Sequence, residues 1–222
     1  MLPYRFCIKP WVMSTVFFLT IIGCLYVDRP ASVFFKESEQ SYLHVFDQVL
    51  NHVAQGVLIL PVVLLMMVYF KWVKHHWIWF HRMAYLCYIL MIDHVFLSLL
   101  KLCCGRARPY LYIDQHIFGF YPFTFSYDYF SFPSGHTMVL MTLAGFIALL
   151  LTSNWRYLVL CCGFFMSFSR VWQNLHYLSD WYFSAYLSLL IFPIATLVLK
   201  QLLPLKTMHA LNKAMGFSSV EA

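Results

Sequence analysis

Six runs of apolar residues, at about 11–27, 53–70, 83–100, 136–152, 157–172 and 181–199, leave this chain few ways to fold. At roughly 1.5 Å per helical residue each is about long enough to cross the hydrocarbon core of a bilayer. A backbone in lipid must satisfy its own hydrogen bonds, which apolar runs of this length do as helices. With 62% of its residues hydrophobic and 11% charged, a chain of 222 residues cannot hide so much apolar surface in a soluble core. The expected class is all-α: a polytopic membrane protein with six transmembrane helices, residues 1–222 forming one membrane domain.

Arg5 and Lys9 precede the first run, which reads as a helix or a signal sequence. Its Ile21-Ile22-Gly23-Cys24 segment looks like a lipoprotein cleavage site, and the helix reading is kept. Residues 28–42 are polar and mixed in sign. Val45, Phe46, Val49, Leu50 and Val53 have the one-sided spacing of an interfacial helix, with a plain lead-in turn as the alternative. Pro61 is tolerated as a kink in the second run. Lys71, Lys74, His75, His76, His81 and Arg82, among Trp72, Trp77 and Trp79, form a basic aromatic loop suited to cytoplasmic headgroups rather than to a metal. The tail after Lys200 reads equally as an interfacial helix or as disorder. The seven cysteines show no CxxC spacing and read as small core residues.

Ionisable residues inside such runs are functional candidates by default. Asp93 and His94 lie in the middle of the third run, where a buried pair that fixes helix packing is the preferred reading. Three further segments carry chemistry. In Lys101-Leu102-Cys103-Cys104-Gly105-Arg106-Ala107-Arg108-Pro109, Gly105 and Pro109 end a helix, leaving Lys101 on its last turn and Arg108 just beyond. Residues 110–132, crowded with Tyr and Phe, suit a loop in the headgroup belt. Pro133-Ser134-Gly135-His136 opens the fourth run, with Ser134 as helix cap and the amides near Ser134 and Gly135 turned to an anion. Ser169 to Asp180 supplies Arg170, His176 and Asp180; a helix continuing from His176 puts Asp180 on the same face, four residues on. Arg170 meets His176 over one substrate only if the helix breaks, which places a turn near Gln173 and Asn174.

Cytoplasmic termini put nine basic residues inside: Arg5, Lys9, Lys71, Lys74, Arg82, Arg156, Lys200, Lys206 and Lys213. Outside lie Arg29 and Lys36, with Lys101, Arg106, Arg108 and Arg170 gathered at the proposed site. The positive-inside rule then faces all three segments away from the cytoplasm. Lys101, Arg108 and Arg170 around a helix start describe a phosphate site that needs neither metal nor other cofactor. His176, polarised by Asp180, is the expected nucleophile, and His136 the acid for the leaving group and later the base for water. No basic run suggests nucleic acid, and nothing points to an obligate protein partner. The bilayer and a membrane lipid substrate are the expected partners.

The segments K-x6-R-P, P-S-G-H and S-R-x5-H-x3-D resemble the motifs of the type 2 phosphatidic acid phosphatase (PAP2) family, over roughly residues 45–200. That resemblance implies a six-helix bundle of the acid phosphatase and vanadium haloperoxidase type and a metal-independent phosphohistidine mechanism. Leu178 departs from the Pro of many members and touches the turn more than the chemistry. Gly105 to Pro109, the later Phe118-Gly119-Phe120 and the His176 to Asp180 ending look most like bacterial lipid A phosphatases of the inner membrane with a periplasmic site. Undecaprenyl diphosphate or phosphatidylglycerophosphate is the alternative substrate. Two rival readings are a metal hydrolase using His136, His176 and Asp180, and a lipid-phosphate transporter using Asp93 and His94.

Overall fold

The computed structural model describes residues 4–38, 56–151 and 154–217, and these are almost entirely helical. After a short turn at Arg5–Ile8, α1 (Pro10–Ile22) passes through a π-helical turn, Gly23–Val27, into α2 (Asp28–Glu37). There follow α3 (Gly56–Trp72), α4 (Trp77–Cys104), α5 (Pro109–Gln115), α6 (Gly135–Leu150), α7 (Trp155–Ser167), α8 (Ser169–Trp172), α9 (Leu178–Leu202) and α10 (Leu205–Met215).

Among the described residues three helices are long and apolar enough to cross a membrane: Pro10–Glu37, Trp77–Cys104 and Leu178–Leu202. Their 28, 28 and 25 residues correspond to about 38–42 Å at 1.5 Å per residue, more than the roughly 30 Å hydrocarbon core. Two further apolar helices, Leu58–Trp72 and Gly135–Leu150, are shorter. The chain is a multi-pass helical membrane protein; of the six expected crossings, three fall on these long helices and the others on the two shorter apolar helices and the 13-residue α7, which among the described residues lack that length. The interfacial segment expected at 45–53 lies outside the described residues.

α9 is the hub. It packs against α1, α4 and α6, while α7 lies on α6 and α3 on α4. Its inward side chains, Leu187, Leu190, Ile191, Phe192 and Ala195, form the core with Tyr85, Leu86, Ile89 and Leu90 of α4. Outward-facing Phe17, Phe18, Leu65 and Phe165 are more than half exposed, as lipid-facing side chains of a bundle are. Small residues let helices close up where packing alone must hold them. A Cβ at Gly163 of α7 would fall 2.6 Å from the Ala144 Cβ of α6.

Hydrogen bonds across helices add to this: Tyr85 pairs with Thr196 at 2.8 Å, and Ser188 donates to the Met138 carbonyl at 3.1 Å. Asp93 belongs to the same set, accepting from Thr142 of α6. His94 turns back to the Leu90 carbonyl of its own helix at 2.9 Å, so the two neighbours do not form the packing pair expected of them. Adjacent helical positions point about 100° apart, and α6 lies on the Asp93 side.

Three smaller expectations are corrected. The polar residues after 28 continue the first helix to Glu37, because Asp28 and Ser32 are buried rather than solvated. The basic aromatic loop shrinks to 73–76, with Trp77 to Arg82 already helical. Cys7 and Cys87 are core residues, but Cys103, Cys161 and Cys162 are exposed on the outer helix surface, where lipid takes the place of core. The tail forms α10, which packs under α4 through Met208, Leu211, Ala214 and Met215, and Arg82 donates to the Ala214 carbonyl at 2.9 Å.

Candidate active site

At one end of the bundle α4 stops at Gly105, whose φ of 55° and contact with the Tyr121 carbonyl exclude a side chain: a Cβ would lie 1.8 Å from that oxygen. The turn reverses the chain into a short extended stretch. Ala107 N–H donates to the Gly119 carbonyl at 3.0 Å, Arg106 bridges Phe120, and Ser131 N–H returns to the Arg106 carbonyl at 3.0 Å. These main-chain bonds carry Arg106, Arg108 and Ser131 to fixed places above the helix ends.

Lys101, on the last turn of α4, brings its Nζ to 3.8 Å from where a Gly135 Cβ would be, at the start of α6. Arg108 is buried, stacks 3.8 Å from the centroid of Tyr127 and donates to the carbonyls of Tyr127 at 3.0 Å and Leu175 at 3.4 Å. Arg170 on α8 contacts the His136 Nε2 through Nη2 and the Gln173 side chain through Nη1 at 3.3 Å. Ser134 occupies the N-cap position of α6 but makes no side-chain capping bond: its N–H donates to the Ser184 hydroxyl at 2.7 Å and its hydroxyl accepts from Thr137 at 3.0 Å. The Ser134 amide is therefore taken, and of the helix-start amides only those of Gly135 and its successors could face an anion.

The chain turns at Gln173 and Asn174, the latter at φ 53°, and delivers His176 beside these cations. His176 Nδ1 lies 2.5 Å from the Ser131 carbonyl oxygen. A carbonyl only accepts, so Nδ1 carries the proton and the neutral ring keeps its lone pair on Nε2. Burial first, and then Arg108 and Lys101, hold the imidazole well below its usual pKa of 6.5.

Asp180 does not hold His176. α9 begins at Leu178, so His176 precedes the helix and the four-residue spacing does not put the pair on one face. The Asp180 carboxylate instead accepts from Ser131 Oγ at 2.6 Å, from Tyr177 N–H at 2.9 Å and from Arg106 Nη1. Its link to His176 runs through Ser131, which presents its hydroxyl to Asp180 and its carbonyl to the imidazole. His136, His176 and Asp180 are thus each turned to separate partners, Arg170, Ser131 and Arg106, rather than to a common metal position.

Three residues of this centre, Ser131, Ser179 and Asp28, were not placed at the site by the sequence alone, and Arg106, counted among its cations, was given no role of its own. Fully buried Arg106 lies between Asp180 and Asp28, the latter 2.7 Å away, and donates to Ser179 Oγ at 2.8 Å. Burial works against its charge, and the two carboxylates outweigh burial and raise its pKa further. A lone aspartate at the edge of an apolar run was the available signal for Asp28.

The depressed His176 pKa has a consequence for stability. Below about pH 6.5 the unfolded chain binds a proton that the native ring refuses, so native stability falls as pH drops, with a slope approaching 1.4 kcal/mol per unit. Thermal unfolding in detergent between pH 7.5 and 5.5 should show a shallower fall for His176→Gln than for wild type; equal slopes would contradict this assignment.

The solved structure of a transmembrane PAP2-type phosphatidylglycerolphosphate phosphatase from Bacillus subtilis superposes with a TM-score of 0.55 at 19% identity, covering 86% of this chain and 98% of that one. Proteins named lipid A 1-phosphatase from Rhizobium johnstonii and Rhizobium etli are each 35% identical over 99 residues, 44% of this chain. The match spans 39% and 41% of the length of those two relatives. The PAP2 superfamily profile matches residues 82–203, more than half of the sequence and all three charged segments, and the chain therefore belongs to the PAP2 superfamily.

Proposed function

We propose that this phosphatase removes a phosphate from a membrane lipid through a phosphohistidine on His176, without a metal. The observation that carries the reading is the convergence of Lys101 and Arg108, from the segment that ends α4, and of Arg170, from α8, on an imidazole whose Nε2 is left unprotonated. Incoming phosphate oxygens engage the two guanidinium groups, the Lys101 ammonium and the first amides of α6. His176 Nε2 attacks phosphorus as the bond to the leaving oxygen breaks, and protonated His136 delivers its proton to that oxygen. Water then attacks phosphorus, its proton passes to His136, and the P–N bond breaks to release phosphate and neutral His176. Arg170, which touches His136 in the structure, turns to the phosphate in this scheme and leaves His136 to take up its proton.

The relatives named lipid A 1-phosphatase support a phosphate on a saccharolipid of the lipid A class as the substrate, approached from the bilayer past Phe120, Phe123 and Phe125. All three rings are at least half exposed. The charge bias of the loops favours an inner-membrane protein with cytoplasmic termini and a periplasmic site. The test is phosphate release in detergent from purified lipid A, phosphatidylglycerophosphate and undecaprenyl diphosphate with excess chelator. Release is expected to be fastest from lipid A and unchanged by chelator. Loss of release in chelator would overturn metal independence, and faster release from either other lipid would overturn the substrate.

A further inference from the structure

We infer that Asp28, on the first helix and outside the 82–203 stretch matched by the family profile, is a positioning residue for the phosphate-transfer centre, acting on His176 through Arg106, Asp180 and Ser131. The inference rests on the reading of function above. Asp28 is completely buried, a placement that is costly for a carboxylate unless every oxygen is paired. Its Oδ1 accepts the Ser179 N–H at 3.0 Å, and its Oδ2 accepts from Arg106 Nη2 at 2.7 Å and from the Ser179 hydroxyl.

The first helix is seated for this purpose. The π-helical turn Gly23–Val27 ends immediately before Asp28, and the wider turn changes which face the following residues present. Gly23 lies so close to α9 that a Cβ there would fall 2.6 Å from the Tyr182 hydroxyl and 3.1 Å from the Ser179 Cβ. The Tyr182 hydroxyl in turn donates to the Leu19 carbonyl at 2.5 Å.

Arg106 then transmits the constraint twice. Its guanidinium, shared between Asp28 and Asp180, sets where the Asp180 carboxylate lies, and that carboxylate holds the Ser131 hydroxyl at 2.6 Å. Its main-chain carbonyl holds the Ser131 N–H at 3.0 Å. Ser131 fixes the His176 ring through its own carbonyl at 2.5 Å. A guanidinium that loses one of its two carboxylates is drawn to the other, so removing the Asp28 charge shifts Asp180, then Ser131, then the imidazole. Displacements of about 1 Å at an attacking atom cost up to 10²-fold in rate.

A double-mutant cycle tests this chain of contacts. Asp28→Asn and Ser131→Ala should each lower kcat by about 10-fold to 100-fold with KM within about twofold, and the combination should lose no more than the worse single variant. Multiplying losses, or a lower melting temperature with kcat per folded molecule unchanged, would overturn the role. Should Asp28→Asn fail to fold, Ser179→Ala opens the same bridge without stranding a charge, and the same non-additivity with Ser131→Ala is expected; additivity there overturns it equally. Imidazole ¹⁵N spectra give a readout independent of turnover: His176 should keep its proton on Nδ1 throughout, but its ¹⁵N resonances should shift from their wild-type positions in Asp28→Asn, or in Ser179→Ala if that variant is used. Unchanged spectra sink the positioning role, whereas a wild-type chain that releases no phosphate from any lipid sinks only the reading of function.

Discussion

Replacing His176 with glutamine is expected to cut phosphate release by at least about 10⁴-fold while leaving the phosphate site able to bind. Glutamine keeps an N–H for the Ser131 carbonyl, so no buried acceptor is orphaned and the loss is one of chemistry rather than of folding. Lys101 and Arg108 come from another segment, Arg170 sits on α8 with its own contact to Gln173, and all three stay in place. Single-turnover release together with binding of inorganic phosphate separates the two effects. The expected result is unchanged phosphate affinity and no trapped phosphohistidine. Residual turnover within 10-fold of wild type would remove His176 as the nucleophile.

Asp180→Asn should show two losses at once, and their ratio reports what the carboxylate does. If Asp180 polarised the imidazole directly, the amide would preserve geometry and stability and cost about 10⁴-fold in kcat through the wrong tautomer. The observed contacts predict otherwise. Removing the charge leaves buried Arg106 with only Asp28, which should destabilise the protein by about 3 kcal/mol, the low end of the range for breaking a buried pair. For a chain of this size that lowers the melting temperature by roughly 6–12 °C. The Ser131 carbonyl still fixes the His176 tautomer, so kcat should fall by only about 10²-fold. Scanning calorimetry in detergent beside steady-state kinetics checks both. A 10⁴-fold loss with an unshifted melting temperature would restore the direct contact.

The two variants mark where reading residues in order succeeds and where it stops. Gly105 at a helix end, Ser134 at a helix start and a turn at Gln173 and Asn174 are local events, decided by the backbone freedom and capping chemistry of a few neighbouring residues. They were legible for that reason. The spacing from His176 to Asp180 misled because it assumed a helix two residues longer than the one that forms. Tyr177 is the cap, with its N–H held by Asp180 itself, so the capping bond that engages the carboxylate also ends the helix before it reaches the histidine.

What the sequence alone determined is the kind of molecule: apolar helices that only a bilayer can solvate, and three charged segments whose order and spacing are those of the PAP2 superfamily. Which side chain faces which was decided only by tertiary structure. Asp28 and Ser179 meet across 151 positions, Arg106 and Asp180 across 74, and His176 and Ser131 across 45. No local preference encodes such pairings. They follow from how α1 and α2, α4 and α9 pack, and once packed, a buried charge takes whatever partner its neighbours bring within reach.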